Sequence, residues 1–266
     1  MPRSRSKLSV ILVVAASMAC AGDTSVAWEQ TRSVNAAGSS VALTAAGDVV
    51  QDSLDAMASR VVLPATSCRG SVRLSVSAGK LFAAWWSPRA DSTALLLASL
   101  STDSGRTWRA PAPVDTTDHG ASGCARTAPS IAADAASGYV HISYAMQATE
   151  GPGLFFAHSM DGGATFHAPV PILYGERLGV TSVAASGDHV VVAFEDPGSR
   201  TPRIGLALSA TMGHIFEHRV LPVSDDNSAA TQPLVALAGH RLAVAWRERQ
   251  SSNGPVVIRI RTGSIP

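Results

Sequence analysis

The chain is 266 residues long with a formal net charge of +1 and only 15% Asp, Glu, Lys and Arg, so it carries no basic field of the kind that binds nucleic acid. Its 22 Gly and 15 Pro punctuate the sequence at strand intervals, and few windows show the i, i+3, i+4, i+7 pattern, which excludes a helical repeat. The length is enough for one extensive β core.

At the N-terminus, Arg3, Arg5 and Lys7 precede an apolar stretch at 8–16 and then Ser17-Met18-Ala19-Cys20. These are the three regions of a secretory signal, so residues 1–20 are set apart from the fold and the chain is expected to be exported. The stretch is far shorter than the roughly 20 apolar residues of a membrane-spanning helix. Ala19-Cys20-Ala21-Gly22 is similar to a lipoprotein cleavage site, with Cys20 as the lipidated residue, although Ser17 stands where Leu is usual. Cleavage after Ala19 or Ala21 without lipid is the alternative. Residues 21–59 read as a tether or a degenerate unit, with a hairpin within 40–50 and a weakly helical 51–59; the folded domain is placed at 60–266.

From residue 79 onward one unit recurs. Each copy opens with a Gly-led strand that ends in an aromatic: Gly79-Lys80-Leu81-Phe82-Ala83-Ala84-Trp85-Trp86, Gly138-Tyr139-Val140-His141-Ile142-Ser143-Tyr144, the run 187–194 through Val190-Val191-Val192, and 239–246 through Leu242-Ala243-Val244. The leading glycines recur at intervals of 59, 49 and 52 residues, the length of one four-stranded sheet. Apolar or β-branched runs at 94–100, 154–158, 204–208 and 256–260 supply a further strand in each unit.

The most regular motif follows that strand. Ser101-Thr102-Asp103-Ser104-Gly105-Arg106-Thr107-Trp108 and Ser159-Met160-Asp161-Gly162-Gly163-Ala164-Thr165-Phe166 both fit S-x-D-x-G-x-T-[WF], and each is followed by x-Ala-Pro. A third copy, Ser209-Ala210-Thr211-Met212-Gly213-His214-Ile215-Phe216, keeps Ser, Gly and Phe but has Thr211 in place of Asp. Ser and Asp two residues apart can accept hydrogen bonds from the N–H groups of a tight hairpin, Gly supplies positive φ, and the aromatic packs under the turn. Ser101, Asp103, Gly105, Trp108, Ser159, Asp161, Gly163 and Phe166 are therefore read as structural, not as catalytic or metal-binding.

This motif resembles the Asp-box, or bacterial neuraminidase repeat, of sialidase-like β-propellers. The resemblance implies an all-β propeller of four-stranded antiparallel blades, with four clear units and a fifth or sixth left open. It also places these hairpins on the face opposite the working surface. The last unit lacks its outer strand, and Arg60-Val61-Val62-Leu63-Pro64 is similar to the outer strands of other units, so the two chain ends are expected to share a blade. Cys68 and Cys124 stand just ahead of the first strand of two successive units, where adjacent blades lie side by side. A disulfide between them is expected, two unpaired thiols being the alternative. With two thiols and no His pair at ligand spacing, neither metal nor cofactor is expected.

The loops opposite the boxes hold many ionisable groups. By similarity to the opening blade of sialidases, Arg73 maps to the first of three arginines gripping a carboxylate, Asp91 to the general acid/base and Arg89 to an accessory basic residue. Bidentate guanidinium binding gives the physical rationale. Leu74-Ser75 departs from the family's Ile-Pro, and the loop at 89–91 is shorter. Tyr174 with Glu176 is the candidate nucleophile pair, and Arg177 and Arg247 are the candidate second and third arginines. Two readings stand: a non-catalytic propeller that binds a glycan or a protein partner through its loop face, anchored to a membrane through an N-terminal lipid, and an exo-α-sialidase or related glycoside hydrolase.

Overall fold

The computed structural model describes residues 26–34, 42–43, 49–50, 67–225, 227–251 and 254–266. The signal at 1–20 with Cys20, the segment 51–59 and the segment 60–64 lie outside the described residues. The chain enters through β1 (Ala27–Trp28) and β2 (Arg32–Val34), then a short antiparallel ladder of β3 (Ala42–Leu43) with β4 (Val49–Val50). Four four-stranded meanders follow in order. They comprise β5 (Arg73–Ser77), β6 (Lys80–Pro88), β7 (Ala94–Ser101) and β8 (Ala112–Asp115); then β9 (Ser130–Ala133), β10 (Val140–Ala148), β11 (Gly151–Ser159) and β12 (Val170–Tyr174); then β13 (Thr181–Ser186), β14 (His189–Glu195), β15 (Ile204–Ser209) and β16 (His218–Pro222); and last β17 (Ala229–Ala238), β18 (Arg241–Arg249) and β19 (Val256–Ser264), completed from the N-terminus. Among the described residues the helical content is one turn at Arg69–Ser71.

The sheets stack face to face, and burial shows how. In β10 eight of nine residues are buried, whereas β16 has none; a middle strand covered on both faces reads as a continuous apolar run. The apolar clusters accordingly sit between sheets. Phe82, Trp86, Leu96, Ile142 and Phe155 fill the space between the first and second, Phe156, Val192, Phe194 and Phe216 that between the second and third, and Leu206, Val244 and Trp246 that between the third and fourth.

The innermost strands are tied by one repeated device. Ser75 Oγ accepts the Ala133 N–H at 3.0 Å, Ser130 Oγ accepts Val183 N–H at 3.0 Å, and Ser182 Oγ accepts Val235 N–H at 3.1 Å. A small hydroxyl on each first strand thus satisfies a backbone donor of the next blade, as buried N–H groups require. Two-residue turns at Ala78-Gly79 and Gly187-Asp188 link first to second strands, with φ of 48° and 73° in the one and 58° at Gly187 in the other, the left-handed geometry that hairpin twist favours. The described residues form a β-propeller of four antiparallel blades.

The last blade differs from expectation in its outer strand. β1 and β2 both pair antiparallel with β19, so the N-terminal stretch 27–34 fills the place that the sequence suggested for 60–64. The ends do share a blade. Glu29 secures the closure: Arg241 Nη2 donates to Glu29 Oε1 at 2.7 Å, Thr262 Oγ1 donates to Glu29 Oε2 at 2.6 Å, and the Arg261 guanidinium lies 4.5 Å from the Trp28 ring centroid.

Cys68 and Cys124 form a disulfide with Cα atoms 5.3 Å apart, joining the entry to β5 with the loop leading into β9. The repeated hairpins share one backbone. Gly105, Gly163 and Gly213 have φ of 85°, 86° and 88°. Ser101 Oγ accepts Gly105 N–H at 2.8 Å, Ser159 Oγ accepts Gly163 N–H at 2.7 Å and Ser209 Oγ accepts Gly213 N–H at 3.0 Å. In the third, Thr211 Oγ1 stands in for the missing carboxylate and accepts Ile215 N–H at 2.9 Å. Phe166 and Phe216 pack into the clusters beneath, Phe216 edge-on to Phe156 of the preceding blade with centroids 5.0 Å apart.

Candidate functional site

The loops opposite the repeated hairpins include the ends of second strands and the starts of first strands. There the four blades converge on an axial cavity of ≈ 490 Å³, lined by Arg73 of the first blade, Ser130 of the second, Thr181 and Ser182 of the third, and Gln232, Arg247 and Leu234 of the fourth. Among the described residues no carboxylate lines it. Arg73 Nη1 donates to Gly70 O at 3.2 Å and Val72 O at 2.8 Å, and Arg247 Nη1 donates to Gln232 Oε1 at 3.0 Å. The Nε and Nη2 donors of both guanidiniums carry no hydrogen bond to a described residue, leaving a fork on each for an incoming anion.

Gln232 is positioned by strain. It has φ of 54° in a bulge of β17 between Thr231 and Leu234, and its N–H donates to Glu195 Oε1 at 2.8 Å. A bulge of this kind re-aims side chains near sites, and a left-handed non-Gly residue persists only where its surroundings hold it. Gly179 allows Glu195 to take this place, because a Cβ there would lie 2.6 Å from the Glu195 Cβ.

The other residues singled out from the sequence lie apart from this cavity. Asp91 Oδ1 accepts the Thr93 hydroxyl at 2.7 Å and the Thr93 N–H at 3.0 Å, and these bonds lower its pKa. A carboxyl held ionised within its own turn is poorly suited to donate a proton. Arg89 Nη2 donates to Thr116 O at 3.0 Å and Nη1 to Thr93 Oγ1 at 3.3 Å, tying that turn to the neighbouring loop. Tyr174 ends the outer strand β12, 44% exposed and edge-on to Phe155 with centroids 5.9 Å apart. Glu176 and Arg177 are exposed on the loop after it. Of the residues proposed for one pocket, the structure brings together Arg73 and Arg247.

A second hollow of ≈ 810 Å³ lies over the disulfide loop. Its charges are already matched: Arg126 Nη1 meets Asp118 Oδ2 at 2.8 Å, both side chains being nearly inaccessible, and the same guanidinium lies 5.2 Å from the Trp86 ring centroid. Edge-on to Trp86, with centroids 5.9 Å apart, Tyr144 donates its hydroxyl to Asp115 Oδ2 at 2.5 Å. Burial, then the Asp115 charge, push the Tyr144 pKa well up, the reverse of what an ionised nucleophile requires.

No protein-family model matches this chain, and no curated protein gives a significant match. Among solved structures, a protein of unknown function from Dyadobacter fermentans DSM 18053 is similar at 18% identity with a TM-score of 0.53, over 71% of this chain and 51% of its own. A Hadza microbial sialidase follows at 17% identity and a TM-score of 0.49, over 74% of this chain and 46% of its own. An alpha-L-arabinanase from Penicillium chrysogenum, complexed with arabinobiose, matches at 14% identity and 0.47, over 67% and 58%. The chain thus spans about half the length of these solved structures, and at such identities the likeness is one of fold.

Proposed function

We propose that this protein is an exported, sialidase-like Asp-box propeller, tethered through lipidated Cys20, that binds a carboxylate-bearing glycan in the axial cavity without hydrolysing it. The observation that carries this reading is the pairing of Arg73 and Arg247, from opposite ends of the propeller sequence, in one cavity with no acidic side chain among its described lining residues. Two guanidinium forks with open donors suit a sugar carboxylate, and Ser130, Thr181 and Gln232 offer polar partners for hydroxyls. The repeated Ser/Asp hairpins support the family resemblance. Binding is preferred over turnover because Asp91 is engaged by Thr93 and Tyr174 stands on an outer strand.

Purified protein incubated with a fluorogenic sialoside, beside an Asp91→Ala variant, tests the reading together with a glycan array. The expected result is no release of the fluorophore and retention of acidic glycans. Turnover that disappears in Asp91→Ala establishes the hydrolase instead.

A further inference from the structure

On the opposite face, beside the repeated hairpins, three histidines meet that no role above absorbs. His158 is the second-to-last residue of β11, His167 follows the second hairpin, and His214 sits in the third hairpin, on the next blade. The His158 and His167 rings have centroids 4.6 Å apart, and His158 and His214 4.4 Å. One ring nitrogen from each lies within 4.8 Å of the other two.

We propose that His158, His167 and His214 form a three-histidine site for a divalent transition-metal ion, zinc or copper in class, that bridges the second and third blades. Two independent features distinguish it from incidental ring packing. First, His158 is 3% exposed and its Nε2 has no hydrogen-bond partner; a buried imidazole nitrogen left unpaired is costly and calls for a partner. Its ring is fixed by stacking on Tyr139 and Phe156, with centroids 6.1 and 6.0 Å away. Second, the backbone delivers the other two. His167 N–H donates to His158 O at 2.9 Å, which sets these residues side by side on paired segments. The left-handed Met212-Gly213 turn, with φ of 55° and 88°, carries His214 across from the next blade.

The repeat itself does not ask for histidine at these places. The positions that correspond to His158 and His167 are Leu100 and Arg109 in the first unit and Leu208 and Glu217 in the third, while those matching His214 are Arg106 and Ala164. A tetrahedral ion with nitrogens at about 2.0–2.1 Å needs them about 3.3 Å apart. His167 and His214 are exposed and can close that gap by side-chain rotation, while His158 stays fixed. Three imidazoles with a fourth position open to solvent suit zinc and copper and are a poor set for calcium or magnesium.

The test is titration of the full chain, carrying no polyhistidine tag, with zinc chloride in chelator-free buffer, followed by calorimetry and thermal denaturation. The expected result is one saturable ion per chain, a higher melting temperature with zinc, and at least a ten-fold loss of affinity in His167→Ala and in His214→Ala. Both substitutions are at exposed positions, so the variants fold and are compared with wild type without metal. His240→Ala, beside the separate His189 ring, is expected to leave affinity unchanged. No saturable binding, or equal binding by the His167→Ala/His214→Ala double variant, overturns the proposal.

Discussion

Gly213 of the third blade lies directly against the Phe156 ring of the second: a Cβ at 213 would sit 2.4 Å from Phe156 Cε1 and Cζ. The hairpin therefore docks on its neighbour by backbone, which only glycine permits at φ of 88°.

Gly213→Ala is expected to combine that steric conflict with a left-handed backbone, costing about 2–4 kcal/mol. Gly187 has φ of 58° but open space around its Cα, so Gly187→Ala should cost about 1 kcal/mol, the conformational part alone. Urea denaturation of both variants checks the difference. Equal losses would remove the inter-blade contact from the explanation.

The Cys68–Cys124 bridge closes 56 residues of sequence separation, for which loop-closure entropy gives about 4 kcal/mol of stabilisation. A Cys68→Ser/Cys124→Ser variant is expected to melt well below wild type. Reductant should lower the melting temperature of wild type and leave the variant unchanged.

Acid should weaken the repeated hairpins in a defined window. The Thr107 hydroxyl and N–H, with the Ser101 hydroxyl, hold Asp103 at about 2; the Thr165 hydroxyl and N–H, with the Ser159 hydroxyl, hold Asp161 at about 2, against an ordinary value of 3.8. A carboxyl lowered in the folded state contributes stability above its unfolded pKa and loses it as pH falls through the folded one. The Asp103→Asn/Asp161→Asn variant should thus be less stable than wild type at pH 7 and converge on it between pH 4 and 2. A stability difference that is constant across that range contradicts the assignment.

Glu195 is expected to act on the axial cavity through the backbone it holds. Glu195→Ala frees the Gln232 N–H and should weaken acidic-glycan binding about ten-fold, the scale of one lost charge-assisted hydrogen bond. Glu195→Gln keeps an acceptor and should largely restore affinity. Isothermal titration of the two variants separates positioning from charge.

What the sequence revealed follows the range of the forces involved. Glycine turns, alternating strands and the Ser/Asp hairpins are local, so Gly79, Gly187 and the runs at 101–108 and 159–166 announced the blades. The Cys68–Cys124 pair followed once the blades had been placed. The outer strand of the last blade did not, because Ala27-Trp28 and Arg32-Ser33-Val34 are short, carry little pattern and pair with residues more than 220 positions away. Arg73 and Arg247 were legible as charges on the loop face, Arg73 opening β5 and Arg247 near the end of β18, but Gln232 and Glu195 were not, since a bulge with positive φ at Gln232 leaves no compositional mark. The histidine cluster escaped the spacing test because its members come from two blades, and the hydrogen bond from Tyr144 to buried Asp115 joins residues 29 positions apart.

On the reading proposed for the axial cavity, Arg73 and Arg247 together receive a carboxylate. The most direct test is calorimetric titration of the wild type, Arg73→Ala, Arg247→Ala and the double variant with sialyllactose and with lactose. Binding of the acidic sugar alone is expected, weakened at least ten-fold by each single change and abolished by both. Equal affinity for the two sugars, or full retention of sialyllactose by the double variant, would contradict it.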